Sequence, residues 1–279
     1  MNNDKSNENV FGFDRDKWPR TECWEFSNNT SDRTLFKKSE WTEEVYDKEA
    51  DAMVPAWMSD FEARFPDLDD PYRDYTQFKR FCDFIVSTNR ELATSSMLEV
   101  PVTYDGVVYY NDTPEYRLAK FKNEFHNYGF VDTFVFYYIF TEVFHLMDSR
   151  AKNIFLTTFD GEHWFPIPYD FDTAIGINNE GSLVFEYDIE DTDKVNNENV
   201  FTGQDSVLWH NVRDAFQARR FEMYDELRRR EDIPFSFEYI SKKMSDHQTT
   251  WPEAIWNEDA KVKYLDIYLT EGEEYFDMC

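Results

Sequence analysis

Asp148, Asn153, Asp170 and Asp172 stand close together in the chain, and their side chains all end in oxygen. Three carboxylates and one amide oxygen are hard donors, a set that suits Mg2+ or Mn2+ shared with substrate phosphates. The set is useful only if the fold gathers it. Asp170 and Asp172 are two positions apart, so extended backbone puts both on one face. Asn153 and Asp172 bracket a stretch that reads as a β-hairpin, and a hairpin returns its second strand to where the first began.

The elements around these residues follow from hydrophobic period and turn chemistry. Asn153 to Phe159 predicts one strand, Asp160-Gly161 a turn, and Trp164 to Tyr169 the returning strand. Val131 to Met147 predicts a helix apolar nearly all round, central to the core, and too short and too polar to span a bilayer. Val100 to Tyr110, split by Asp105-Gly106, predicts a two-residue hairpin. Thr113-Pro114-Glu115 opens a helix to about Asn127, ended by Gly129. From Trp24 to about Asn89 the pattern is mostly helical. An N-cap at Ser39 precedes an acidic turn, a helix spans about Ala50 to Phe65, and a third carries Phe78, Phe81, Cys82 and Ile85. Downstream, Ser182 to Tyr187 reads as a strand and 188–199 as an acidic loop. One long helix is expected from about Asp205 to Arg230, then helical segments near 234–247 and 252–270. Residues 1–20 read as a flexible arm and 21–279 as a single domain with no internal repeat. The class is α+β, helix-rich, with a small central β-hairpin or sheet.

Composition narrows the chemistry. With 29 Lys+Arg against 57 Asp+Glu the formal charge is -28, which opposes binding to a nucleic-acid backbone and suits a cation-dependent site or a basic partner. The 27 Phe and 17 Tyr argue for a packed core and against a disordered acidic chain. There are 8 glycines, and no arrangement of them forms a G-x-G-x-x-G or P-loop cradle. Cys23, Cys82 and Cys279 are scattered, which argues against a disulfide framework and a zinc ribbon. The first ten residues are polar and carry no signal-peptide core, so synthesis in the cytoplasm is expected.

The order of the oxygen donors is similar to that of protein kinases, where a catalytic-loop Asp is followed at five residues by Asn, then by a strand pair and a metal-binding Asp. Arg150 and Lys152 follow Asp148 closely enough for either to neutralise a transferring phosphoryl group. The sequence most closely resembles the CotH family of atypical kinase-like proteins, through Asp148…Asn153…Pro168-Tyr169-Asp170-Phe171-Asp172…Gly176. The resemblance implies a helix-rich protein kinase-like C-lobe, ATP with Mg2+ or Mn2+, and a protein substrate. It also implies that Asp148 orients or deprotonates the acceptor hydroxyl while Asn153, Asp170 and Asp172 hold the metal. The chain departs from the kinase pattern in two places. Residues 1–100 have no Gly-rich loop and no strand lysine paired to a helix glutamate, and Leu146 stands where a typical kinase loop has its His. A nucleotide lobe outside this chain, or a reduced relative without one, is therefore expected.

A second resemblance is to tail and other virion-associated proteins of tailed phages. It rests on Cys23 to Arg33, Asn111 to Arg117, Met147 to Asn153 and Asp170 to Gly181. It implies the alternative of a non-catalytic virion component, partnered by other structural proteins, that keeps the acidic residues as a cation-binding structural element. Glu142-x-x-His145 has the spacing of one half of a di-iron site, but its second copy is missing, so His145 reads as a core-edge residue. Arg219-Arg220 and Arg228-Arg229-Arg230 read as charges paired along a helix.

Overall fold

A strand buried at every position has to be covered on both faces, and Glu22-Cys-Trp-Glu-Phe26 is such a strand. It forms β1 (Glu22–Phe26), the second strand of a four-stranded antiparallel sheet in the order β4-β1-β7-β8. Its neighbours are β4 (Phe61–Phe65) and β7 (Ile154–Thr158), and β8 (Phe165–Pro168) pairs with β7. The structure is a computed structural model and describes residues 12–14, 16–26, 44–47, 52–55, 61–66, 76–88, 101–109, 113–144, 146, 149–150, 153–169, 171, 174, 207–232 and 235–250. Among these residues there are also two hairpins, β2 (Glu44–Asp47) with β3 (Ala52–Pro55) and β5 (Val102–Tyr104) with β6 (Val107–Tyr109). Six helices complete the α+β architecture: α1 (Thr76–Ser87), α2 (Pro114–Glu124), α3 (Val131–Val143), α4 (Val207–Ala215), α5 (Gln217–Arg229) and α6 (Phe237–Thr250). No helix among the described residues is long and apolar enough to cross a membrane.

One face of the sheet meets the main core. Trp24 stacks on Phe78 of α1 with ring centroids 4.3 Å apart, and Phe26, Phe61, Ile154 and Leu156 extend the same surface. Phe134 of α3 and Trp209 of α4 continue it behind α1. The opposite face carries a smaller cluster of Phe13, Cys23, Phe65 and Phe155. Phe61 and Phe65 fall on opposite faces because the register shifts between Cys23 and Trp24, where Cys23 pairs with Phe65 and Trp24 with Ala63. The extra residue, Arg64, reverses the alternation. Cys23 and Cys82 are buried free thiols, and burial pushes the Cys23 thiol up to about 12.

Much of the expected layout is present. Asp105 and Gly106 both have positive φ, 49° and 80°, as a two-residue hairpin turn requires. Thr113 caps α2, its hydroxyl accepting from the Tyr116 amide at 3.1 Å. Phe78, Phe81, Cys82 and Ile85 are all fully buried on α1.

The region from Trp24 to Asn89 is the main correction. Among its described residues it is not mostly helical: the helix expected over Ala50–Phe65 is replaced by β3 and β4, and Glu44, in the acidic turn after Ser39, begins β2. The sheet is therefore not confined to mid-chain. A spacing of four, as between Phe61 and Phe65, reads as one helical turn; in β4 the bulge at Arg64 sets the two rings on opposite faces, and pairing with β1 decides for the strand. The helix expected over Asp205–Arg230 is two helices broken at Phe216, which has φ -110° and ψ 26°. That break turns its ring to within 5.8 Å of Phe121 and 5.9 Å of Phe125. α3 ends at Val143 rather than Met147, and the Leu146 amide donates back to the Thr141 carbonyl at 3.0 Å. The expected strand 182–187, loop 188–199 and helix 252–270 lie outside the described residues, as do the first eleven residues of the arm.

Gly129, in the turn before α3, has no room for a side chain. A Cβ there would lie 2.9 Å from Phe125 and 2.9 Å from Phe134, rings that are themselves fully buried. Gly129→Ala is expected to lower stability by about 1–3 kcal/mol through overpacking. Urea denaturation should show a lower midpoint with an unchanged slope.

Candidate functional site

The loop leaving α3 is held from beneath by its own side chains. Ser149 and Arg150 are 0% and 1% exposed. The Tyr137 hydroxyl donates to the Ser149 carbonyl, and the Trp209 indole N–H donates to the Arg150 carbonyl at 2.9 Å. Arg150 turns back under the last two turns of α3. Its Nε donates to Thr141 Oγ1 at 2.8 Å, and its Nη2 donates to the Tyr138 carbonyl at 3.1 Å and to Glu142 Oε1 at 2.5 Å. The guanidinium lies 3.9 Å from the centre of the Tyr138 ring, and Arg220 lies near the same ring at 4.8 Å. Burial raises the Tyr138 pKa, and the Arg150 charge opposes that rise. Glu142 thus serves the loop as an ion-pair partner for Arg150.

The β7–β8 hairpin closes at its open end on Asn153 and Tyr169. Ile154 pairs with Pro168, and one step further the Tyr169 amide donates to the Asn153 carbonyl at 3.3 Å. Asn153 has φ 58°, a left-handed conformation that Asn tolerates better than most residues. The open end of the hairpin therefore sets Asn153 beside Tyr169, the residue that precedes Asp170. Asp148, Lys152, Asp170 and Asp172 lie outside the described residues, as does His145. Among the described residues no group of three or more His, Cys, Asp or Glu side chains is gathered as a metal site. Phe171 is 5.5 Å from Phe140. Phe140 in turn lines an open groove of about 350 Å³ with Asp132, Thr133, Phe136, Tyr137, Pro166 and Pro168.

Both ends of the hairpin are tied down. At the turn, Asp160 accepts from the Glu162 and His163 amides at 2.7 and 2.8 Å and from the Thr158 hydroxyl at 3.0 Å, while His163 Nδ1 lies 2.7 Å from its other oxygen. Burial works to raise the Asp160 pKa, but these hydrogen bonds outweigh it and take the group down to about 2. Trp164 exchanges backbone hydrogen bonds with Tyr128 and Phe130 at 2.9 and 3.0 Å, fixing the start of β8 to the turn before α3. At the open end, the Tyr169 hydroxyl donates to Glu25 Oε1 and Arg64 Nε donates to Glu25 Oε2. Glu25 and Arg64 were not among the residues singled out from sequence. The one signal was a charged residue inside a run of apolar ones, Cys-Trp-Glu-Phe.

The profile of the CotH kinase protein family matches residues 109–277, which takes in every candidate residue named from Asp148 to Asp172. The match begins at the last residue of β6, so β1 to β4 precede it. No curated protein matches the chain. No solved structure matches it either.

Two outcomes follow from these contacts. Arg150→Lys cannot reproduce the fork of Nε and Nη2 bonds, and should cost about 2–4 kcal/mol by leaving buried acceptors unmet. A melting temperature lower by several degrees would show this, whereas lost turnover at unchanged stability would place the guanidinium at the phosphoryl group instead. Asp160, with a folded pKa below its unfolded value near 3.9, contributes stability above about pH 4 that is lost as pH falls towards 2. Because its side chain is 45% exposed, the contribution is roughly 1 kcal/mol. Acid unfolding of Asp160→Asn should accordingly be less steep over that window, with the wild type more stable only above it.

Proposed function

The chain belongs to the CotH kinase protein family, and from that premise we propose that it is a phosphotransferase moving the γ-phosphoryl group of ATP to an acceptor hydroxyl. The observation that carries the reading is the hairpin register that sets Asn153 beside the residue before Asp170, within the span that matches the family. The donor chemistry fits a divalent cation: one amide oxygen and carboxylates, with no soft ligand among them. Asn153, Asp170 and Asp172 would hold Mg2+ or Mn2+, which when bound neutralises charge on the nucleotide phosphates. Asp148 orients the acceptor hydroxyl and takes its proton. The acceptor oxygen bonds to the γ-phosphorus as the bond to the ADP oxygen breaks. Lys152, four residues after Asp148, would neutralise the charge that builds on the transferring group. Arg150 anchors that loop, because its guanidinium is engaged with Glu142, Thr141 and Tyr138.

The same reading covers fold and domain. β1 and β4 precede the family match yet complete the sheet that carries the hairpin, which supports one kinase-like domain over residues 21–279. The acceptor is a protein hydroxyl in this proposal.

The test is thermal unfolding of wild type and Asp172→Asn with Mg2+ or Mn2+, each with and without ATP. Ligand at about 100 times its dissociation constant adds roughly 2.7 kcal/mol, a rise of several degrees. The expected result is a rise that needs metal and ATP together and vanishes in the variant. A rise with metal alone, indifferent to ATP, would overturn phosphoryl transfer and return the site to a structural cation site such as a virion component would keep.

A further inference from the structure

We propose that Glu25 is a positioning residue for the cation-holding end of the β7–β8 hairpin, acting through Tyr169. The inference rests on the phosphoryl-transfer reading above and adds to it a part supplied from before the family span. Glu25 is 2% exposed in the second strand of the sheet. A carboxylate in that position is costly unless its oxygens are engaged, and a well-packed apolar residue would serve stability as well or better. Each oxygen has its own donor: Arg64 Nε of β4 on one, the Tyr169 hydroxyl on the other.

The route of Tyr169 explains what this achieves. Phe155 of β7 is the cross-strand partner of Glu25, and the Tyr169 ring stacks on Phe155 with centroids 4.4 Å apart and planes 17° apart. The ring therefore lies over β7 while its hydroxyl reaches β1. At the same residue the backbone N–H donates to the Asn153 carbonyl at 3.3 Å. A phenylalanine would keep the stack on Phe155, so the hydroxyl is the part that adds direction. It fixes the Tyr169 side chain at two points and, through its backbone, fixes Asn153. Outer partners of this kind typically change metal affinity by about 10–100-fold when removed.

Tyr169→Phe tests the role with the fold preserved. Tyr104→Phe is the control, because its hydroxyl is also bonded to a carboxylate, Glu124, but on the β5 hairpin. Two readouts are taken on the full chain: hydrogen exchange of the Tyr169 amide in metal-free protein, and Mn2+ affinity by titration with a non-hydrolysable ATP analogue present. The expected result is that Tyr169→Phe speeds exchange at that amide and weakens Mn2+ binding at least about 10-fold, while Tyr104→Phe changes neither. Equal Mn2+ affinity and equal exchange in Tyr169→Phe and wild type would overturn the inference and leave the phosphoryl-transfer reading standing. A wild type that binds no Mn2+ under any condition would overturn that reading and this inference with it.

Discussion

Arg150 takes a fixed positive charge into the protein interior, and a charge there must be met by groups already in place. The groups that meet it come from α3, and α4 and α5 brace the same region through other contacts. α3 provides the Thr141 hydroxyl, the Tyr138 ring and carbonyl and the Glu142 carboxylate. α4 provides Trp209 to the Arg150 carbonyl, and α5 brings Arg220 to the Tyr138 ring. None of these contacts needs a ligand. Ser149 and Arg150, between α3 and β7, are thus set by the helical core before anything binds, which is the preorganisation that positioning chemistry depends on.

The hairpin that follows is constrained in the same spirit, but from the sheet. Its turn end is fixed by the Asp160 hydrogen bonds and by Trp164, whose backbone bonds reach the glycine-bearing turn between α2 and α3. Its open end is fixed by Glu25 and Arg64 from strands far upstream. Between the two ends, Ile154 and Leu156 enter the main core while Phe155 enters the smaller cluster on the opposite face. A strand buried on both faces and paired on both edges moves little. The rigidity of the presenting element therefore comes from residues on both sides of the family boundary at Tyr109.

Several parts of this arrangement were legible because a short stretch of chain contains the whole physical reason. Asp105-Gly106 offers two residues that accept positive φ, and the hairpin forms around them. Thr113-Pro114 provides a cap oxygen and a preset φ, and α2 starts there. The α1 stripe of Phe78, Phe81, Cys82 and Ile85 has one period and one reading. Phe61 and Phe65 do not, since their spacing matches a helical turn while the bulge that sets them on opposite faces of the sheet exists only in the pairing with β1. The break at Phe216 was equally hidden, because the helical pattern runs through it and its ring packs against Phe121 and Phe125, which stand far earlier in the chain.

The sequence by itself determined the donor types, their order and the hairpin between Asn153 and Tyr169, since turn and strand preferences act over a few residues. The tertiary structure alone decided that residues 22–26 and 61–65 are strands, that Arg150 points into the core, and that Glu25 meets Tyr169. Glu25 and Tyr169 are 144 positions apart. The burial that makes a carboxylate there worth engaging exists only once β1 lies between β4 and β7. A contact whose energy depends on the assembled sheet leaves at most a charge inside an apolar run, and nothing in either local pattern that names the partner.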